Sequence, residues 1–438
     1  MALIIFFIAA GIEIGLAVYS IVTKSKGKKI RNWIRIGASA IFLLFTLVSV
    51  IEWSFRWYLP AVVLVIWTVT GVVSLIRKKA DKKKYSAVPT VIKAAGMLII
   101  FSIALVPAFI FPQYRPPAVT GQYKVDTAVY TYTDDNRIET FTDTGEKRKV
   151  TVQFWYPANG DKTYPLVVFS HGAFGVRVSN TSTFMELASN GYVVCSVDHP
   201  YHSLYNIDTG GKLTIVDRSF MEEIEDVNND VFDEETKFSL EQKWMKLRTQ
   251  DINFVLNTIV NNTRNGSGKV YGRINTDRIG LLGHSLGGAA SIELGRERED
   301  VDSVINLDGD MLGEATGYAD GRYIINRKIY PVPLLNIYTD DMKRLLDSAA
   351  NSSIELPQKL ISETAPQAYD MYIAGTNHMS LTDLPLFSPL LVKLLSGTTD
   401  KMSSEQKADK YAVIEKMNST VLQFFDCYLK DKGSFHTP

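Results

Sequence analysis

Cysteine is scarce in this 438-residue chain: there are two, Cys195 and Cys427. One possible pair is not a disulfide framework, and neither residue has the spacing of a metal site. Cys195 lies in the apolar run Tyr192-Val193-Val194-Cys195 and reads as a buried strand residue; Cys427 lies in a helical pattern. Both are expected as free thiols, since unpaired cysteine behaves as a small buried hydrophobe. Histidine is also rare, at six residues, which shortens any search for a general base. Net charge is absent, with 47 Lys/Arg against 47 Asp/Glu. No nucleic-acid partner is expected, and no internal repeat is visible.

The neutral total hides a split. Residues 1–118 carry 15 Lys/Arg but only 3 Asp/Glu, whereas residues 119–438 carry 32 against 44. Two modules are expected: a membrane part over 1–118 with an exit linker, and a globular part over 119–438 long enough to bury its own core. Four apolar stretches fill the first part, at 2–23, 36–55, 57–76 and 89–111. Each has about 20 residues, the length of a helix crossing a ~30 Å hydrocarbon layer. Basic residues cluster between stretches one and two (Lys24, Lys26, Lys28, Lys29, Arg31, Arg35) and between three and four (Arg77, Lys78, Lys79, Lys82, Lys83, Lys84). Both loops are expected on the cytoplasmic side, which places the chain after residue 111 outside. The expected location is the plasma membrane, multi-pass, with the globular part extracytoplasmic. Glu13 is the one charged residue near mid-span, and a packing role is the simpler reading.

After residue 118 the periodicity changes. Apolar runs at 150–156, 166–169, 192–197, 278–282, 301–307, 333–338 and 371–374 alternate with helical patterns, notably 243–260 and 407–429. That alternation predicts a mostly parallel sheet with helices on both faces. Ligands of such sheets bind beyond the strand carboxyl ends. An acidic segment, 222–235, interrupts the pattern. Its Asp226, Asn228 and Asp230 begin like a calcium loop, but Val231 and Lys237 stand where that loop needs Gly and Glu. No metal site and no cofactor are expected; the 203–242 segment is a solvated excursion or a lid.

Gly283-His284-Ser285-Leu286-Gly287-Gly288 fits G-x-S-x-G, follows an apolar strand and opens a helix. A sharp strand-to-helix turn of this kind presents a serine for nucleophilic attack. His171-Gly172-Ala173-Phe174-Gly175 follows an earlier strand, where backbone N–H groups of Ala173 (or Phe174) and Leu286 can face a developing oxyanion. The base follows by elimination. His171 and His284 belong to these two turns, His436 to the tail, and His199 and His202 precede the serine, whereas the expected chain order is serine, acid, histidine. His378 remains. Between Ser285 and His378, Asp308 ends the 301–307 run; Asp310 and Asp340 are alternatives. The acid orients the histidine and stabilises its protonated form.

Together these residues resemble the platelet-activating factor acetylhydrolase (lipoprotein-associated phospholipase A2-like) family of α/β hydrolases. Phe169-Ser170-His171-Gly172 is similar to the family's oxyanion strand and turn, Gly283–Gly288 to its elbow, Leu307-Asp308 to its acid position, and His378-Met379-Ser380-Leu381-Thr382-Asp383 to its histidine segment. Ala173 stands where the family carries a bulkier residue, and the four-span region is foreign to secreted members. The resemblance implies an α/β-hydrolase fold for residues 119–438, Asp308 as the acid, no metal requirement, and hydrolysis of short-chain acyl or phospholipid-type esters; the four transmembrane helices ahead of it are read from the apolar stretches alone. The expected partner is therefore a small-molecule or lipid ester; no oligomeric state is implied.

Overall fold

The computed structural model describes residues 1–77, 85–159, 162–266, 268–350, 355–398 and 407–437. Two compact units are present: Met1–Arg115 with Phe387–Lys393, and Pro116–Leu386 with Leu394–Pro438.

Among its described residues the first unit contains four helices long and apolar enough to cross a membrane: α1 (Ala2–Val22), α2 (Lys28–Leu47), α3 (Tyr58–Ile76, preceded by a 3-10 turn) and α4 (Ala87–Ile110). Ala2, Ile51, Trp57, Phe101, Leu105 and Ala108 pack together inside it. The second helix departs from expectation. It starts at Lys28 instead of near residue 36, so Arg31 and Arg35, read above as loop residues, lie on a helix and are buried. The pattern missed this because a charged turn hides the helical period at its start. Lys78, Lys79, Lys82, Lys83 and Lys84 of the second basic loop lie outside the described residues.

The second unit is built on an eight-stranded sheet. We number its strands β1 (Val125–Ile138), β2 (Lys147–Pro157), β3 (Tyr164–Ser170), β4 (Val193–Val197), β5 (Ile274–His284), β6 (Ser303–Leu307), β7 (Leu334–Tyr338) and β8 (Ala368–Tyr372). Their spatial order is β1-β2-β4-β3-β5-β6-β7-β8. β1 and β2 are antiparallel to their neighbours, and from β4 onward every pairing is parallel. β3, β4, β6 and β7 are buried along their whole length, which is why they read as unbroken apolar runs. Helices α5 (Thr181–Ser189), α6 (Arg218–Asn228), α7 (Glu234–Arg264), α8 (Leu286–Glu297) and α9 (Lys410–Lys430) accompany it, with shorter helices between α8 and α9. This is the α/β-hydrolase fold.

Register sets the site. Ser170 of β3 pairs with Gly283 of β5, Gly283 with Asn306 of β6, and Asn306 with Asn336 of β7. The residues that follow these strands, His171, Ser285, Asp308 and Thr339, therefore emerge side by side. The 203–242 excursion folds as a small hairpin (Tyr205–Ile207 with Leu213–Ile215), then α6 and the start of α7. Phe220 of α6 is buried, stacked on His202 at 3.7 Å between ring centroids, so this segment is tied to the chain behind the oxyanion turn. Cys195 is buried in β4 and Cys427 half-buried on α9, both as free thiols.

Candidate active site

Ser285 sits between β5 and α8 with φ 54° and ψ −127°, a conformation that L-residues rarely adopt. A serine at a helix N-cap ordinarily accepts an N–H from the first turn. Here it makes no such bond. The turn is held by Ser285 N–H donating to the Leu307 carbonyl at 2.9 Å and by Ala289 N–H donating to the Ser285 carbonyl at 3.0 Å. Glycine is required on both sides. A Cβ on Gly283 would collide with the Gly287 carbonyl, and one on Gly287 with the Ser170 carbonyl. Gly172 approaches from β3, its missing Cβ only 2.9 Å from that of Ser285.

Asp308 follows β6 and is buried, also at positive φ (53°). Its Oδ1 accepts the Thr339 N–H and its Oδ2 the Thr339 hydroxyl, each at 2.8 Å. The same Oδ2 lies 2.8 Å from His378 Nδ1. Burial alone would raise the Asp308 pKa; the bond and charge of His378, with the Thr339 donors, leave it below the ordinary value. Burial would likewise lower His378, but Asp308, with Asp310 and Asp341 further off, raises it above its ordinary value. Neither alternative acid bonds this imidazole. Asp310 accepts from Gln358 at 3.4 Å, and Asp340 holds the Tyr372 hydroxyl and the Gly375 N–H. The histidine turn is fixed by its backbone: His378 N–H donates to Asp341 Oδ2 (3.0 Å), and the His378 carbonyl lies 3.0 Å from His284 Nε2. No hydrogen bond joins Ser285 Oγ to His378 Nε2 here; such bonds are often long until substrate is present.

The Gly172–Ala173 peptide is the best-anchored part of the oxyanion turn. The Gly172 carbonyl faces His171 Nδ1 (2.7 Å), Arg248 Nη2 (3.2 Å) and Gly175 N–H (3.1 Å). Since the peptide is planar and trans, the Ala173 N–H points the opposite way from that carbonyl. Leu286 is the first residue of α8, where no helical carbonyl is available to its N–H. Phe174 is a correction. Its N–H donates to the His202 carbonyl at 3.1 Å, because its positive φ (61°) turns that peptide toward the chain after β4. That leaves Ala173 and Leu286 as the available pair.

Comparison with known proteins identifies the family and supports the fold. The profile of the family "Platelet-activating factor acetylhydrolase, isoform II" matches residues 141–437. This chain belongs to that family. A probable 1-alkyl-2-acetylglycerophosphocholine esterase of Arthroderma benhamiae is 25% identical over 229 residues, covering 50% of this chain and 49% of that protein. The platelet-activating factor acetylhydrolase of Gallus gallus is 27% identical over 297 residues (63% and 64%), and that of Cavia porcellus 23% over 300 (64% and 61%). The chain thus spans about half to just under two thirds of the length of these relatives. Among solved structures, a ferulic acid esterase from Streptomyces cinnamoneus superposes with a TM-score of 0.52 at 20% identity, covering 72% of this chain and 93% of that one, which supports the fold.

Behind the oxyanion turn, this acetylhydrolase-family chain carries a second polar constellation that sequence reasoning missed. Ser170 Oγ lies 3.0 Å from His199 Nε2, and His199 Nδ1 lies 3.1 Å from Asp251 Oδ2. All three are at most 1% exposed. Arg148 grips Asp251 with two bonds (2.7 and 2.6 Å), and Arg137 adds a third contact at 2.9 Å. Burial would raise the Asp251 pKa; Arg148 and His199 hold it well below the usual carboxylate range. Burial and the Arg248 charge push His199 down to about 3. Arg248, one helical turn before Asp251 on α7, also donates to the His171 carbonyl at 2.7 Å. The only signal in the sequence was Arg248 and Asp251 three apart, on one face of a helix.

Proposed function

We propose that this protein is a membrane-anchored, extracytoplasmic serine carboxylic ester hydrolase, acting on short-chain acyl or phospholipid-type esters. The observation that carries the reading is the half-buried His378, bonded to buried Asp308, at the sheet end where the Ser285 turn is held strained and uncapped. In this reading Ser285 Oγ attacks the acyl carbon as its proton passes to His378 Nε2. Asp308 keeps the imidazole oriented and stabilises the imidazolium. Ala173 and Leu286 N–H groups receive the oxyanion, each worth about 3 kcal/mol in comparable sites. The leaving alcohol takes the proton from His378, giving an acyl-Ser285 ester. Water, deprotonated by His378, then releases the acid and restores the serine. The relatives' names, esterase and acetylhydrolase, favour a small acyl group. Four apolar helices favour a substrate presented at a lipid surface.

The test is turnover of p-nitrophenyl acetate, butyrate, octanoate and palmitate by the full chain in neutral detergent, with Ser285→Ala alongside. Short-chain turnover that disappears in the variant supports the reading. Activity that survives the substitution contradicts it, and a folded chain inert toward every ester points to a peptidase on the same fold or to a binding or sensor module.

A further inference from the structure

The four-helix unit buries charges that are incompletely balanced among the described residues. Glu13 of α1 and Arg31 and Arg35 of α2 are 7%, 6% and 8% exposed. Glu13 Oε1 and Arg35 Nη2 are 3.9 Å apart, an ion pair too long for a hydrogen bond. Glu13 Oε2, Arg31 Nε and Nη2, and Arg35 Nε and Nη2 are all buried with no hydrogen-bond partner. The Arg35 guanidinium lies 5.0 Å from the Trp67 ring centroid, which fixes its plane but satisfies none of its N–H groups. A cavity of about 60 Å³ opens beside it, lined by Glu13, Arg35, Leu64, Trp67 and Phe101 among others.

Among the described residues, two buried guanidiniums face one buried carboxylate, which leaves a positive charge uncompensated. Arg31 and Arg35 are four apart on one helix face, where like charges repel. An unpaired buried charge is costly, and in a bilayer no bulk water relieves it. Two waters would fill about this much space, at ~30 Å³ each, but would not neutralise it. A planar guanidinium fork with open N–H groups matches an oxyanion that offers several acceptors. Arg35 stands seven residues into α2, roughly 10 Å from its start, and Arg31 about one turn from it. The cations thus lead inward from the helix end next to the first basic loop.

We propose that Arg31 and Arg35, opposed by Glu13, form a binding site within the four-helix unit for a phosphate-type oxyanion, borne by a lipid head group or free in solution. The site is separate from the sheet-end chemistry and does not depend on it.

The test uses the full chain in neutral detergent, titrated calorimetrically with dihexanoyl phosphatidylglycerol, inorganic phosphate and dihexanoyl phosphatidylcholine. Saturable binding of the first, exceeding that of the zwitterionic lipid, is the expected result, and Arg35→Gln weakens it about tenfold or more. Equal binding of inorganic phosphate assigns the site to a soluble anion; binding of the lipid alone assigns it to a head group. Glu13→Gln separates a ligand site from a structural ion pair. Removing the competing carboxylate tightens anion binding several-fold, which a purely structural pair cannot do. Far-UV circular dichroism establishes that each variant folds. The proposal fails if neither anion binds above the phosphatidylcholine control, or if folded Arg35→Gln binds as the parent does.

Discussion

Two serine–histidine–aspartate sets occupy neighbouring positions on one sheet. Ser285, Asp308 and His378 follow β5, β6 and β8; Ser170 and His199 lie at the ends of β3 and β4, with Asp251 reaching them from α7. The histidine–aspartate contact does not separate them, at 2.8 Å in the first and 3.1 Å in the second, and the serine–histidine hydrogen bond is present only in the second. Their surroundings do. Among the described residues the Asp308 carboxylate is met by Thr339 and His378, so the imidazole gains from its charge and its pKa rises. Two arginines take up the charge of Asp251, a third opposes His199, and that imidazole is held neutral with a pKa near 3. A general base needs a carboxylate that is its own and a face open to substrate; the inner set has neither.

The largest expected effect separates the serines. Ser285→Ala should lower ester turnover by about 10⁴-fold or more. Ser170→Ala should leave turnover within a few-fold of the parent and reduce stability by about 1–2 kcal/mol, read from urea denaturation. Next come the aspartates. Asp308→Asn should cut kcat by about 10³–10⁴-fold, measured at saturating p-nitrophenyl acetate, with little change in unfolding midpoint. Asp251→Asn leaves Arg148 with Glu139 and removes the charge that holds Arg137 and His199, so it should destabilise the fold by about 1–3 kcal/mol by the same denaturation measurement. Arg248→Met loosens the Gly172–Ala173 peptide without touching the serine or its base. A kcat lowered about 10–100-fold at nearly unchanged KM is expected, because the oxyanion forms only in the transition state.

The smallest effect is a matter of pH. His378 must be neutral to accept a proton, and its pKa is raised. The acid limb of kcat/KM should therefore have its midpoint above the ordinary histidine value of ~6.5, with rate lost as pH falls through it. His199, neutral down to about pH 3, should add no limb of its own, and His199→Gln should leave the midpoint in place.

The outer set was legible in the sequence for local reasons. A strand, two glycines and a helix start identify Ser285 within six residues, and six histidines leave few choices for the base. Asp308 needed more. Three aspartates follow strands in the right interval, and only the contact across 70 positions to His378 distinguishes them. The inner set was illegible because its bonds join positions 29, 52 and 103 residues apart, and nothing local marks Arg148 or Asp251 as partners. Phe174 failed for a related reason: its N–H is turned by a positive φ that a phenylalanine does not advertise. The start of α2 failed because Arg31 and Arg35 read as loop charges, although they are buried on a helix.

The most direct test of the account is labelling of the folded full chain with a fluorophosphonate, followed by mass spectrometry of the modified peptide. Phosphonylation of Ser285 alone, abolished in Ser285→Ala and greatly slowed in Asp308→Asn, is the predicted result. A label on Ser170, or a folded chain that takes none, would contradict the assignment of reactive and structural roles to the two sets.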